Sequence, residues 1–466
     1  MKSKNMFDKD IYSRRRRSLI SAFKKGILLF PGNPEAAMNY PANTYHFRQD
    51  STFLYFFGID LPNLAAVIDI DEGEEILFGD DFGIDDIIWM GPQPSTTELA
   101  GMAGVVKTLP FASIRDWLQK VVRQGRTVHF LPPYRGETKI QLSEWLSIPV
   151  GQLKEKASVQ LVREVVRLRS VKDEHEIREI EKAVEITREM HITAMRMARP
   201  GIYEYEIAGK LEGIPGIYKG NISFPIILSI NGQTLHNHYH GNRLKEGRIL
   251  VVDAGAETSM HYTGDITRSI PVGGKFTGRQ KDIYEIVENA NREAIQSARP
   301  GITNLEQHLR AARIITGGLK EMGIMKGAVE EAVACGAHAL FFPHGLGHMM
   351  GLDVHDMENL GEEYVGYDET ISRSSQFGLA SLRLARTLVP GFVLTIEPGI
   401  YFIPALIRIW KKEKKHADFI NYAEVEKYLD FGGIRVEDNI LITEDGARVL
   451  GQPIPKTVRE IEEFMK

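Results

Sequence analysis

A single cysteine stands among 466 residues. An internal disulfide is thereby excluded, which fits a reducing compartment and suggests the cytoplasm. Within "EAVACGAHAL", Cys335 is expected to be a small buried hydrophobe. No run approaches the roughly 20 apolar residues of a membrane span. The opening stretch, MKSKNMFDKDIYSRRRRSLI, lacks the apolar region of a secretory signal. An excess of either charge is also missing. The 57 Lys and Arg against 62 Asp and Glu leave −5, so neither nucleic acid nor membrane is expected as a bulk partner. The one basic run, Arg14–Arg17, reads as a solvated helix face. What remains is 43% apolar and 26% charged, the composition of a soluble globular chain long enough for two or three domains.

The first third alternates apolar runs with turns. "LAAVIDI" and "EEILFG" flank the acidic turn "DEGE" and predict a hairpin, "RTVHFLP" a further strand, and "FASIRDWLQKVV" a helix. This is a small α/β domain, residues 1–165, with few chemistry-bearing residues and a supporting role. A long helix opens the second part, 166–466. Ser170 with Asp173 resembles its capping box. Ile177, Ile180, Val184, Thr187, His191 and Ala194 form its buried stripe, with His191 as a satisfied core histidine. "MARPGI" at 197–202 recurs as "SARPGI" at 297–302. "ILVVDAG" is echoed by "VLTIEPG", and "GDITRSI" by "GGIRVEDNI". These echoes predict an internal duplication within 170–466 whose halves face one another across a pseudo-twofold axis. The charged "KKEKKHAD" at 411–418 reads as a solvated helical excursion.

"TLHNHYHGN" sets His236, His238 and His240 at alternate positions. In an extended strand these share one face, so a three-histidine metal site is open on spacing alone. The carboxylates give a stronger signal. Asp253 ends a strand whose apolar run implies burial on both faces, and Glu397 repeats that situation in the second half. Asp265, with Gly264 allowing close approach, and Glu437 lie on the following strands. Four such acids cannot all stay ionised without compensation. Salt bridges to Arg268 and Arg435 would account for one or two. Two divalent ions would neutralise all four and share an activated hydroxide. "FFPHGLGHMMGLDVHD" adds His344, His348 and His355 as nitrogen donors. A hard, oxygen-rich set favours manganese, with cobalt or zinc also open.

Together, "VDAG", "GDITRSI", "HGLGHMMGLDVHD", "TIEPGIYFI" and "GGIRVEDNILIT" resemble the aminopeptidase P and prolidase family of pita-bread metallopeptidases. "YHFRQDSTFLYFFGI" at 45–59 resembles that family's N-terminal domain. The resemblance implies an α/β pita-bread catalytic domain behind a smaller α/β domain, and a dinuclear Xaa-Pro peptidase. It makes Asp253, Asp265, His348, Glu397 and Glu437 the metal ligands, with Glu397 the proton acceptor. His236, after Leu235, matches the family's pocket histidine. With that match the three-histidine metal site is dropped, and His238 and His240 become ordinary polar residues. His344 and His355 would surround the scissile group beside His236, and Arg435 would touch substrate. "GLASLRLARTLVPG" resembles the prolidase branch, in which Arg383 would bind the substrate's C-terminal carboxylate and favour dipeptides. Residues 404–430 lean the same way, while the aminopeptidase P branch shares the other motifs. The family implies a proline-containing peptide as substrate and a homodimer or homotetramer. A catalytically inactive peptide-binding relative is the alternative, and it would be expected to have lost these carboxylates. A metal-free creatinase-like hydrolase is disfavoured on the same ground, and a methionine aminopeptidase by the N-terminal domain.

Overall fold

The computed structural model describes residues 6–466. The chain forms two compact units. One ends at Arg169 and also takes in Met357–Tyr364. The other comprises Ser170–Asp356 and Val365–Lys466. No helix among the described residues is long and apolar enough to cross a membrane.

In the first unit, α1 (Lys9–Ile20) leads to strand β1 (Ile27–Pro31), then α2 (Ser51–Phe57), β2 (Ala65–Asp69), β3 (Glu74–Phe78), β4 (Lys107–Leu109), α3 (Ile114–Arg123) and β5 (Val128–His129). The five strands form one sheet in the order β4-β3-β2-β1-β5. β2 and β3 make the expected antiparallel hairpin, and "FASIRDWLQKVV" is helical. Ile114, Leu118 and Val121, spaced along one face of α3, pack with Ile27, Leu29, Val67, Ile76 and Phe78.

The basic run differs from expectation. Arg14 and Arg17 are exposed, but Arg15 and Arg16 are buried. Arg15 Nη1 donates to Tyr55 O at 3.1 Å. Arg16 Nη1 donates to Phe56 O at 2.8 Å and Ala103 O at 2.9 Å. The carbonyls of Tyr55 and Phe56 lie in the last turn of α2 and that of Ala103 ends the helix Thr96–Ala103, so the guanidinium groups satisfy two helix C-termini that would otherwise be buried without donors. Gly58 caps the same end with φ +70°, and a Cβ there would sit 2.2 Å from the Tyr12 ring.

In the second unit, α4 (Glu174–Met197) is capped by Asp173, whose carboxylate accepts from His175 N and Glu176 N while Asp173 N donates to the Glu176 carboxylate. The capping box therefore begins at Asp173, because Ser170 still belongs to the preceding helix. The predicted stripe is buried except for half-buried Ile177. Then follow α5 (Glu204–Ile217), β6 (Ile227–Ser229), β7 (Ile249–Ala254), β8 (Ile266–Pro271), α6 (Gly278–Ser297), α7 (Asn304–Glu321), β9 (Val393–Ile396), β10 (Gly399–Tyr401), α8 (Pro404–Lys412), β11 (Gly433–Arg435), β12 (Asp438–Ile442) and β13 (Ala447–Val449).

The duplication is visible in backbone hydrogen bonds. Gly201 N donates to Leu244 O and Leu244 N to Ile202 O. Gly301 N donates to Leu388 O and Leu388 N to Ile302 O. Both glycines hold φ near +90°. Each half then builds a three-stranded antiparallel sheet, β8-β7-β6 and β9-β12-β13. The second acids match less closely. Asp265 lies two residues before Thr267, which is opposite Asp253, whereas Glu437 directly precedes Asp438, which is opposite Ile396.

Two other expectations fail. Cys335 is exposed at the end of a short helix, its thiol donating to Ala332 O. Residues 234–240 form an irregular loop and no strand, so alternate spacing imposes no common face. The 411–418 segment is largely exposed and only its start is helical, in α8.

Candidate functional site

The end of β7, the start of β8 and the residue after β9 converge on the β11–β12 junction in the second unit. They bound a cavity of about 340 Å³. It is lined by Asp253, Asp265, His348, Glu397, Glu437, His236, His344, His355, Arg383 and Arg435, every site residue expected above. His238 lines it as well. His240 does not, because its Nε2 donates to Ile226 O at 3.1 Å.

Three of the acids are anchored through their backbone N–H groups outside the regular strand ladders. Asp265 N donates to Asn439 Oδ1 at 3.0 Å, Glu397 N to Leu346 O at 2.7 Å, and Glu437 N to Thr267 O at 3.1 Å. Two glycines permit the close packing behind them. A Cβ on Gly264 would lie 2.7 Å from Thr187 Oγ1, and one on Gly347 would lie 1.9 Å from Thr395 O. Glu437 Oε2 accepts from Thr267 Oγ1 at 2.6 Å, and Glu397 Oε1 from Thr395 Oγ1 at 3.3 Å. Asp253 Oδ2 accepts from Arg435 Nη2 at 2.5 Å. Among the described residues, Asp253 Oδ1 and Asp265 Oδ1 are buried without a hydrogen-bond partner.

Salt bridging explains little of this. Arg268 is committed to Asp438, at 2.7 Å, and Arg435 answers only Asp253 directly. Burial pushes the Asp253 carboxyl up to about 7, with Asp265 and Glu397 adding to it against Arg435. Burial also raises Glu397, with His348 and Arg435 opposing. Glu437 is raised by burial and by Asp265, Glu397 and Asp253. The cluster is short of positive charge.

His348 carries the same signal. Its Nδ1 is 3.1 Å from Met349 O and can only donate there. Its Nε2 stands 3.4 Å from Asp265 Oδ2 and 3.6 Å from Glu397 Oε1. Burial pushes this imidazole down, but Asp265 and Glu397 outweigh it and leave it raised. A proton or a cation belongs at that point. One ligand atom each from Asp265, His348 and Glu437 lies within 4.8 Å of the others. Orphaned carboxylate oxygens beside an inward-facing imidazole are the donor set of a hard divalent cation.

Tyr401 and Thr267 were not anticipated. His344 Nδ1 donates to Gly345 O at 2.8 Å, so Nε2 must accept the Tyr401 hydroxyl at 2.9 Å. Tyr401 in turn accepts from Arg435 Nη1 at 2.8 Å, and Arg435 Nε donates to Thr267 Oγ1 at 3.1 Å. Arg435 thus gives Nε, Nη1 and Nη2 to the protein's own groups. His344 is pushed down to about 3 by burial and Arg435, and His236 is lowered by burial, Arg435 and Arg383. The His355 ring stands across that of His348, centroids 4.4 Å apart, and burial and the His348 charge lower it strongly. Phe224, Pro225, Ile227, Leu235 and Val354 complete an apolar wall.

The model of metallopeptidase family M24 matches residues 178–444, and that of the aminopeptidase P N-terminal domain residues 12–129. The human Xaa-Pro dipeptidase is 32% identical over 438 residues, covering 90% of this chain and 84% of its own. The Escherichia coli Xaa-Pro aminopeptidase is 32% identical over 469 residues, covering 97% of each. The structure of zinc-substituted E. coli aminopeptidase P in complex with product superposes with a TM-score of 0.81 at 30% identity, over 99% of this chain and 98% of that one. The chain belongs to metallopeptidase family M24, among the Xaa-Pro aminopeptidases and Xaa-Pro dipeptidases that join a pita-bread catalytic domain to an aminopeptidase P N-terminal domain.

Proposed function

We propose that the cavity hydrolyses the bond between an N-terminal residue and a following proline. Asp253, Asp265, His348, Glu397 and Glu437 would hold two divalent cations, manganese by preference. The observation that carries this reading is the group of four carboxylates in one cavity, three of them buried and Glu397 half-buried, two with orphaned oxygens. When bound, such ions supply Lewis acidity and an activated water at neutral pH.

The protein's own groups then have distinct tasks. Glu397, raised by burial, accepts and returns the proton of the attacking water. Arg435 holds Asp253 in place and opposes the burial that raises its carboxyl, and it also orders Tyr401. Neutral His344, His236 and His355 face the scissile carbonyl and its developing negative charge. An Xaa-Pro bond is a tertiary amide without an N–H, so alignment cannot use that donor. The apolar wall beside the histidines suits a pyrrolidine ring instead.

Arg383 would take the substrate's C-terminal carboxylate, which tilts the reading toward dipeptides. Relatives of both branches stand at equal identity. Assembly as a homodimer or homotetramer and a cytoplasmic location complete the proposal, the latter resting on a lone cysteine. Hydrolysis of an Xaa-Pro dipeptide against an Xaa-Pro-Yaa tripeptide, after manganese is returned to metal-free protein, tests it. Cleavage of neither would overturn it.

A further inference from the structure

Lys172 and Asp356 form an ion pair at 3.1 Å with 1% of either side chain exposed. Neither lines the cavity. Asp356 nevertheless follows His355 directly, and its backbone N donates at 2.9 Å to the carbonyl of Met349, the residue after His348. Residues 350–356 belong to no helix or strand. Specific hydrogen bonds restrain them. Met350 N donates to Val393 O, Gly351 N to Asp353 O, and Asp353 N to Asp356 Oδ1 at 3.3 Å. Thr263 reaches Gly351 O through both its N and its Oγ1. Lys172 is fixed in turn, its backbone N donating to Gly391 O at 2.9 Å.

The space around the pair is full. A Cβ on Gly351 would stand 2.6 Å from Asp356 Oδ2 and 3.0 Å from Lys172 Cε. A buried ion pair gains little stability over an apolar pair of the same volume, but it is directional and selects one arrangement. An irregular segment that must hold two imidazoles 4.4 Å apart is where such selection matters.

We propose that the Lys172–Asp356 pair is a clamp that sets the His355 ring against His348, which makes Lys172 a positioning residue for the reaction from outside the cavity. The inference rests on the functional reading of His355 and His348 given above. Either removal alone leaves a buried charge, so the decisive variant carries Lys172→Met together with Asp356→Leu, and Asp356→Asn accompanies it.

Ring C–H resonances are recorded on metal-free, histidine-labelled protein. Those of His348 and His355, assigned with His→Gln variants, are expected to broaden or split in the double variant, while His191 and His308 keep theirs. With manganese restored, kcat for an Xaa-Pro dipeptide should fall at least tenfold with KM changed much less. Unaltered His348 and His355 resonances and an unaltered kcat in a folded double variant would overturn the clamp, even if its melting midpoint fell. If the wild type cleaves no Xaa-Pro peptide, the functional reading fails, and the resonances still decide on the clamp.

Discussion

Glu397 lies between β9 and β10, and Tyr401 ends β10. Glu397 stood out in the sequence because a carboxylate at the end of a buried strand demands a partner. Tyr401 did not, since a tyrosine in "GIYFI" is equally at home in a core. Its role depends on Arg435, which is 34 positions away. Thr267 was hidden in the same way by its place in "DITRSI". The acids themselves were fully legible. Replacing Asp265 by Asn or Glu437 by Gln is expected to abolish turnover and lower bound metal by elemental analysis, with the circular dichroism spectrum unchanged. Full activity in either would contradict their assignment. His236→Ala should depress kcat strongly at normal metal content, and His240→Ala should do little because that ring is spent on Ile226 O. Arg383→Ala should remove a charge-assisted bond worth about 1.5–3 kcal/mol, roughly tenfold or more in kcat/KM for a dipeptide. A tripeptide should lose much less, and an unchanged ratio of the two would release Arg383 from that role.

The helices and the β2–β3 hairpin were readable as elements, because periodicity and turn residues are local. What covers an element is not local. The arginine run has the look of a wet face, and nothing in its spacing says that the carbonyls of Tyr55, Phe56 and Ala103 will need donors there. The histidine loop fails for a related reason, since alternate spacing has meaning only where a strand exists. Arg16→Met would leave Phe56 O and Ala103 O buried without partners, at about 1–3 kcal/mol for each group. Its urea midpoint should drop accordingly. Arg17→Met, at an exposed position of the same helix, should stay within about 0.5 kcal/mol of wild type. Equal effects would mean that the carbonyls find other donors.

For the molecule as a whole, the repeated "ARPGI" announced a duplication that the matched backbone bonds of Gly201 and Gly301 bear out. Its departure at Asp265 and Glu437 lay in strand register, which repeats in sequence do not report. The second unit also carries a pH dependence that composition alone does not reveal. Burial pushes His191 and His308 down to about 3 and His338 to about 4. Among the described residues, neither ring nitrogen of His308 has a hydrogen-bond partner. These rings stay neutral in the fold at pH 5, whereas in the unfolded chain they gain protons below about 6.5. The unfolded state then binds more protons, so stability falls as pH drops from about 7 toward 4. Each histidine contributes about 2 kcal/mol of that loss by pH 5. In His308→Leu the difference in urea stability between pH 7 and pH 5 should shrink by about that amount, and an identical difference would show His308 to be protonated in the fold.

Stepwise return of manganese to metal-free protein, with Xaa-Pro dipeptide hydrolysis and bound metal read together, decides whether two cations in this cavity cleave Xaa-Pro bonds. The expected result is no turnover without metal, activity rising until two ions are bound per chain, and a lower bound-metal plateau with no activity in Asp265→Asn. Undiminished turnover in the metal-free protein, or two ions retained by the Asp265→Asn variant, would contradict it.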